Sequence, residues 1–218
     1  MTPEERFKLV SDNTILLFPF GSIVYGTTTE KSDKDYIGVV KNGVDDFEDC
    51  YDNKWLYTTD NSDITYITED KWIGMIENHH IYALEGLSLT DDKALIGDLS
   101  KYRPLFKLDK WKLRKTISAI AENAYAKCHK KLTVADSYDL YRGQKSLYHS
   151  IRILDFGKQI AEHGKIIDFT SANHFWTEIY NTETPTWDYY KSVYKPILNK
   201  MRSAFISLCP KPINPNDR

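Results

Sequence analysis

The spacing of apolar residues changes character part-way along the chain. Thr2-Pro3-Glu4-Glu5 has the form of a helix start, with Thr2 as cap and Pro3 in the first turn, and predicts a short helix to about Val10. Thr14 to Phe20 is a short apolar run ended by Pro19 and Gly21, the pattern of a buried strand. Asp35 to Val40 reads as a second strand, closed by the Lys41-Asn42-Gly43 turn. Trp55 to Thr59 and Ser62 to Thr68 read as two more, separated by Asp60-Asn61. Glu69-Asp70-Lys71-Trp72 then opens a helix with Trp72, Ile73 and Ile76 at helical spacing.

Beyond this point the rhythm is helical. Lys110 to Leu132 predicts one long helix, and Ala135 to Glu162 a second with Leu140, Leu147, Ile151 and Leu154 along its inner side. Ala172 to Tyr180 and Thr186 to Leu208 follow, the last with a break expected at Pro196. Strands first and helices afterwards predict an α+β protein. Its expected parts are a small mixed β-sheet head with flanking helices over residues 1–100 and a C-terminal helical lobe over 101–218, meeting near Arg103-Pro104.

Charge sharpens this division. The net charge of −2 conceals 8 Lys/Arg against 20 Asp/Glu in residues 1–100, and 21 against 11 in the remainder. An acidic half suits divalent metals and a basic half suits phosphates or nucleic acid, although oppositely charged lobes also attract each other. The 15 Tyr and 5 Trp suit a Tyr-rich core or stacking surfaces. Three widely spaced cysteines, Cys50, Cys128 and Cys209, match neither a disulfide framework nor a zinc site. The charged N-terminus predicts no leader or membrane span, so a cytoplasmic, reducing setting is expected.

One stretch carries chemistry. Phe18-Pro19-Phe20-Gly21-Ser22 is followed by Ile23-Val24-Tyr25-Gly26-Thr27 and then Ser32-Asp33-Lys34-Asp35-Tyr36-Ile37. A strand ending in Gly-Ser before a helix lets main-chain amides and a hydroxyl approach an anionic group. Asp33 and Asp35, two positions apart at the start of a strand, point to one face of the sheet. Like charges held together call for a cation, and hard carboxylate oxygens suit Mg²⁺ or Mn²⁺. A Gly-Ser turn or a Ser-Asp-Lys-Asp loop is common by itself; strand, Gly-Ser and Asp-x-Asp in that order are far more specific.

These residues resemble the signature of the DNA polymerase β-like nucleotidyltransferases. The fuller form, Gly21-Ser22-x-x-Tyr25-Gly26-Thr27 followed by Ser32-Asp33-x-Asp35, is similar to the nucleotidyltransferases associated with RNA ligases in bacteria and phages. The segment His79 to Leu89 with Glu85, and the Lys145-x-x-x-His149-x-x-Arg152 helix, extend the resemblance. It implies transfer of a nucleoside monophosphate from an NTP such as ATP to a hydroxyl, with release of pyrophosphate. A third carboxylate is then expected on a neighbouring strand, with Asp63 the candidate and Asp60 its rival. Asp33, Asp35 and Asp63 would hold two ions, Asp63 also serving as general base, while Gly21 and Ser22 grip the triphosphate.

Arg142, Lys145, His149 and Arg152 fall on one helical face, and Leu147, Ile151 and Leu154 define another. The basic stripe is either an ordinary solvated face or a set of phosphate contacts, Lys145 and Arg152 foremost, that completes a nucleotide cleft. Glu77, His79, His80 and Glu85 have no recognisable ligand spacing and read as helix-end and packing residues, with Glu85 at the rim of the site or bracing local backbone. A P-loop, a Rossmann glycine pattern and a nucleophile elbow are missing from the sequence. The resemblance points to an RNA or tRNA end as acceptor. A protein or small molecule, as in toxin systems, and a catalytically idle nucleotide- or RNA-binding module are the other readings.

Overall fold

The computed structural model describes residues 2–30, 32–44 and 54–212, and Cys50 lies outside them. Two compact units divide the chain, Met1–Lys107 and Leu108–Arg218. The first is α+β. Helix α1 (Pro3–Asp12) starts in a reciprocal cap: Thr2 Oγ1 accepts from the Glu5 N–H at 3.1 Å, and the Glu5 carboxylate accepts from the Thr2 N–H at 2.8 Å. Such a cap satisfies two main-chain donors that a helix end would otherwise leave open.

Strand β1 (Thr14–Phe20), the one-turn helix α2 (Ser22–Tyr25), and strands β2 (Lys34–Val40), β3 (Lys54–Thr58) and β4 (Ser62–Thr68) follow, then helices α3 (Glu69–Glu77) and α4 (Ile81–Ser88). The sheet order is β1-β2-β4-β3. β1 and β3 run antiparallel to their neighbours, whereas β2 and β4 are parallel. Register sorts the side chains into two faces. Phe18 pairs with Ile37 on one face, where the Phe18 ring lies 5.5 Å from Trp72 of α3. Both rings are fully buried, each stabilising the unit by about 1.5–3 kcal/mol through area removed from water. On the other face Val10, Val40, Val44 and Tyr66 form a cluster bordered by Phe7, Trp55 and Tyr57. The sheet is thus covered by α1 on one side and by α3 and α4 on the other.

Sequence rhythm does not announce α4. Ile81, Ala83, Leu84, Glu85, Gly86 and Leu87 are all buried, so no polar face exists to set a period.

The second unit is helical: α5 (Lys110–Thr133), α6 (Leu140–His163), α7 (Asn173–Tyr180) and α8 (Trp187–Leu208). Leu113, Ile117, Ala121, Ala124, Cys128 and Leu132 of α5 recur at three- and four-residue intervals and are buried. Small residues there bring α6 close, and the Ser150 hydroxyl donates to the Ala121 carbonyl at 2.8 Å. The helix expected from Ala135 instead begins at Leu140, after a single 3-10 turn over Ala135–Ser137. Asp139 decides the start, because its carboxylate accepts from the Arg142 N–H at 2.9 Å and caps the helix. Nor is α8 divided at Pro196, which lies inside one helix. Buried Tyr190, Tyr194, Leu198 and Phe205 span the proline, and packing on both sides of it outweighs the one lost main-chain bond. Among the described residues no helix is long and apolar enough to cross a membrane. Cys128 and Cys209 are free, buried thiols, and burial pushes Cys128 up to about 12, far from the thiolate that reactivity needs.

Candidate functional site

The head places its motif residues at one end of the sheet. β1 finishes at Phe20, whose register partner is Asp35, the second residue of β2. Asp35 in turn pairs with Asp63, the second residue of β4. Parallel strands carry register partners on the same face, about 4.8 Å apart along the hydrogen-bonding direction. Asp35 and Asp63 are both half-buried, while Asp33, one residue before β2, is exposed. Asp60 sits off the strand, in a turn closed by the Thr59 N–H donating to the Ser62 carbonyl at 2.8 Å.

Gly21 occupies the gap beside this pair. Its backbone is at φ 72 and ψ −146, a region that side chains with a Cβ do not enter without strain. A Cβ built there would overlap Oδ2 of Asp35 and lie 3.0 Å from its Cγ. The motif glycine therefore does two things: it turns the chain, and it lets the turn close onto the Asp35 carboxylate. The Gly21 carbonyl then accepts from the N–H groups of Val24 (3.0 Å) and Tyr25 (3.2 Å). Those of Ser22 and Ile23, in the first turn, are the ones a helix end directs outward.

Tyr25 and Glu85, 60 residues apart, make a buried hydrogen bond in which the phenol donates to the carboxylate. Glu85 is 2% exposed within α4. It braces α2, and through α2 the Gly21-Ser22 turn. The sequence offers Tyr25 three residues after Ser22 and Glu85 as a residue at the rim or bracing local backbone; that the two meet has no local signature across so long a separation. His79 is buried between α3 and α4, with φ 57 and its ring 5.0 Å from Phe106. That is a packing position.

In the helical unit the basic stripe is not uniformly solvated. Arg142 and Lys145 are exposed, and Arg142 pairs with Asp139 at 3.4 Å. The Lys145 ammonium lies 5.4 Å from the centre of the Tyr141 ring. Arg152, by contrast, is 7% exposed. Its guanidinium lies over Tyr148 and Phe156 and donates to His149 Nδ1 at 2.9 Å. A guanidinium can only donate, so this nitrogen of His149 accepts and the ring is neutral. Burial, and then the positive charges of Arg152 and Lys127, hold the His149 pKa down to about 3. The sequence pattern could not tell these two residues from Lys145, because a buried arginine stacked on rings has the same helical spacing as a solvated one.

No family model and no curated protein sequence matches the chain. Among solved structures it is similar to a nucleotidyltransferase-like protein from Exiguobacterium sibiricum, at 9% identity and a TM-score of 0.32, covering 94% of this chain and 71% of that one. Likeness at that level adds nothing to the residue geometry.

The donor set at the sheet end can be tested against a divalent ion. Among the described residues no three His, Cys, Asp or Glu side chains are grouped as a ready metal cage. Mg²⁺ does not require one: it is commonly held through one or two carboxylates, with waters and substrate phosphates completing six oxygens. Asp35 and Asp63, adjacent in register and half-buried, fit that requirement in donor type and number. Two carboxylates so placed repel by roughly 1–3 kcal/mol at the effective dielectric near a protein surface, which a divalent cation reverses.

Proposed function

We propose that the chain is a metal-dependent nucleotidyltransferase that moves a nucleoside monophosphate from an NTP to a hydroxyl and releases pyrophosphate. The observation that carries this reading is the register pairing of Asp35 with Asp63 at the sheet end where Gly21 closes onto the Asp35 carboxylate. Asp33, Asp35 and Asp63 would hold Mg²⁺ or Mn²⁺, which when bound supplies charge neutralisation at the attacking and leaving oxygens. The chain's own groups have separate tasks. The Ser22 hydroxyl and the outward amides of the Gly21-Ser22 turn donate to triphosphate oxygens. Asp63 accepts the proton of the attacking hydroxyl. Glu85 and Tyr25 keep the turn in place. In the helical unit Lys145 and Arg142 are exposed cations able to meet phosphate, whereas Arg152 and His149 are held in packed positions.

An RNA or tRNA end is the acceptor we favour, on the strength of the sequence resemblance and the basic second half of the chain. The test is incubation with labelled NTPs, Mg²⁺ or Mn²⁺, and total RNA or protein extract, comparing the parent chain with the Asp33→Asn, Asp35→Asn double variant. Label should enter RNA with the parent and not with the variant, whose circular dichroism should be unchanged. Transfer retained by the double variant refutes the assignment.

A further inference from the structure

The helical unit carries a second feature that the carboxylate site does not use. The first turn of α6, the end of α7 and the segment leading to α8 enclose an open hollow of about 430 Å³ lined by Leu140, Tyr141, Gln144, Tyr180, Thr182 and Pro185. That volume lies within the range of small-molecule sites. Its two tyrosines are unusually open for aromatic side chains, Tyr141 being 42% and Tyr180 51% exposed. They are held nonetheless. Trp176 packs against Tyr180 at 5.4 Å and 30° and against Tyr141 edge-on at 6.2 Å, and the two tyrosines meet each other edge-to-face at 6.3 Å and 82°, so the pair forms a braced corner that offers a face and an edge. Exposed rings braced from behind lose little freedom when another flat ring is laid on them.

The polar lining has a defined direction. Gln144 is 4% exposed, and its Nε2 donates to the Ile179 carbonyl at 3.0 Å and to the Tyr190 hydroxyl at 2.9 Å. A carbonyl can only accept, so the amide orientation is settled by its partner. Tyr190 passes its own proton to the same carbonyl at 3.0 Å. Both Nε2 protons are thereby used, and Oε1 is the atom left to accept from a donor in the hollow. At the rim, the exposed Lys145 ammonium stands 5.4 Å from the Tyr141 ring centre.

An aromatic corner, one fixed acceptor and a cation beside one of the rings suit a nucleobase, with its stacking face, its exocyclic amine and the phosphate attached to it. We infer that this hollow is a nucleobase-binding pocket. The base stacks on one ring of this corner and meets the other edge-on, its amine donates to Gln144 Oε1, and its phosphate meets Lys145. Such a base belongs either to an unpaired strand or to a free nucleotide. The choice of ligand accords with the nucleotidyl transfer proposed above and shares Lys145 with it; Tyr141, Tyr180 and Gln144 belong to the pocket alone, so it can fail separately.

The experiment uses the full chain and fluorescence anisotropy of a fluorescein-labelled 12-mer oligoadenylate. A 12-mer of the same charge lacking bases is run in parallel, with ATP as competitor. The base-bearing strand should bind at least about 10-fold more tightly than the abasic one, since stacking is worth that much per base. Tyr141→Leu and Tyr180→Leu should each weaken it by about 5-fold or more, whereas Tyr141→Phe should not. Lys145→Met should lower the salt dependence by about one phosphate contact. Displacement by ATP with the same tyrosine dependence identifies a free-nucleotide site, and resistance to ATP a strand site. Equal binding of the abasic strand, or binding indifferent to both tyrosines, overturns the pocket. Repeating the titration with the Asp33→Asn, Asp35→Asn variant separates the two proposals, because the pocket should bind unchanged when transfer is lost.

Discussion

Replacing Gly21 with alanine tests the geometry of the sheet end directly. The substitution adds one methyl group and two separable penalties. The first is conformational: φ 72 with ψ −146 lies in a region open essentially to glycine alone, and holding another residue there costs about 1–3 kcal/mol. The second is steric, because the added carbon overlaps the Asp35 carboxylate, and forced overpacking typically costs about 1–3 kcal/mol. Gly43 provides the control. Its φ is 78, yet a Cβ there meets nothing within 4 Å, so Gly43→Ala carries backbone strain without overlap. Urea unfolding of the two variants should show Gly21→Ala less stable by about 1–3 kcal/mol. Adding Asp35→Ala removes the obstructing carboxylate, so a double-mutant cycle should return a coupling of about 1 kcal/mol or more. Equal stabilities for the two alanine variants, together with zero coupling to Asp35, would refute the claim that Gly21 exists to admit that carboxylate.

Two further outcomes follow from the same physics. Tyr25→Phe removes the donor that reaches the buried Glu85 carboxylate and should cost about 1–3 kcal/mol, measured by urea denaturation; a change near zero would show that α2 is not braced from α4. Stability should also depend on pH through His149. Its folded pKa is depressed to about 3, so as pH falls below the ordinary value near 6.5 the unfolded chain takes up the proton first. The stabilisation is complete above about pH 6.5 and is lost as pH falls toward 3, at up to about 1.4 kcal/mol per pH unit. Unfolding curves at pH 7 and pH 5 should therefore separate more for the parent than for His149→Gln, by on the order of 1–2 kcal/mol; parallel behaviour would rule out a buried neutral imidazole.

Elements with a one-sided pattern are legible in the sequence. The strand Thr14–Phe20 and the long helix Lys110–Thr133 each bury one set of positions, and the cap at Thr2 marks a helix start through its side-chain oxygen. α4 was not legible, since six of its eight residues are buried and no polar face is left to mark a period. The strand order was hidden for another reason. β3 precedes β4 in sequence yet takes the edge, leaving β2 and β4 parallel, and no short-range signal encodes a neighbour that far away. The same holds for the register that sets Asp35 beside Asp63, for the Tyr25–Glu85 bond, and for Arg152, whose burial depends on aromatic rings one turn away on either side. Composition and spacing name the residues; long-range packing decides which of them meet.

That dependence gives the aromatic layer under α1 a duty of its own. Tyr66 lies three residues beyond Asp63 on β4 and faces the opposite way, stacked at 5.6 Å on Trp55 and fully enclosed with Val10 and Val40. A strand displaced by one residue would turn its entire set of side chains over. Sliding β4 would thus force the Tyr66 ring out of its slot at the same moment that it carried Asp63 to the wrong face. The greasy side of the sheet works as an index pin for the wet side, and loss of fit around Tyr66 would be felt as misplacement of a carboxylate it never touches.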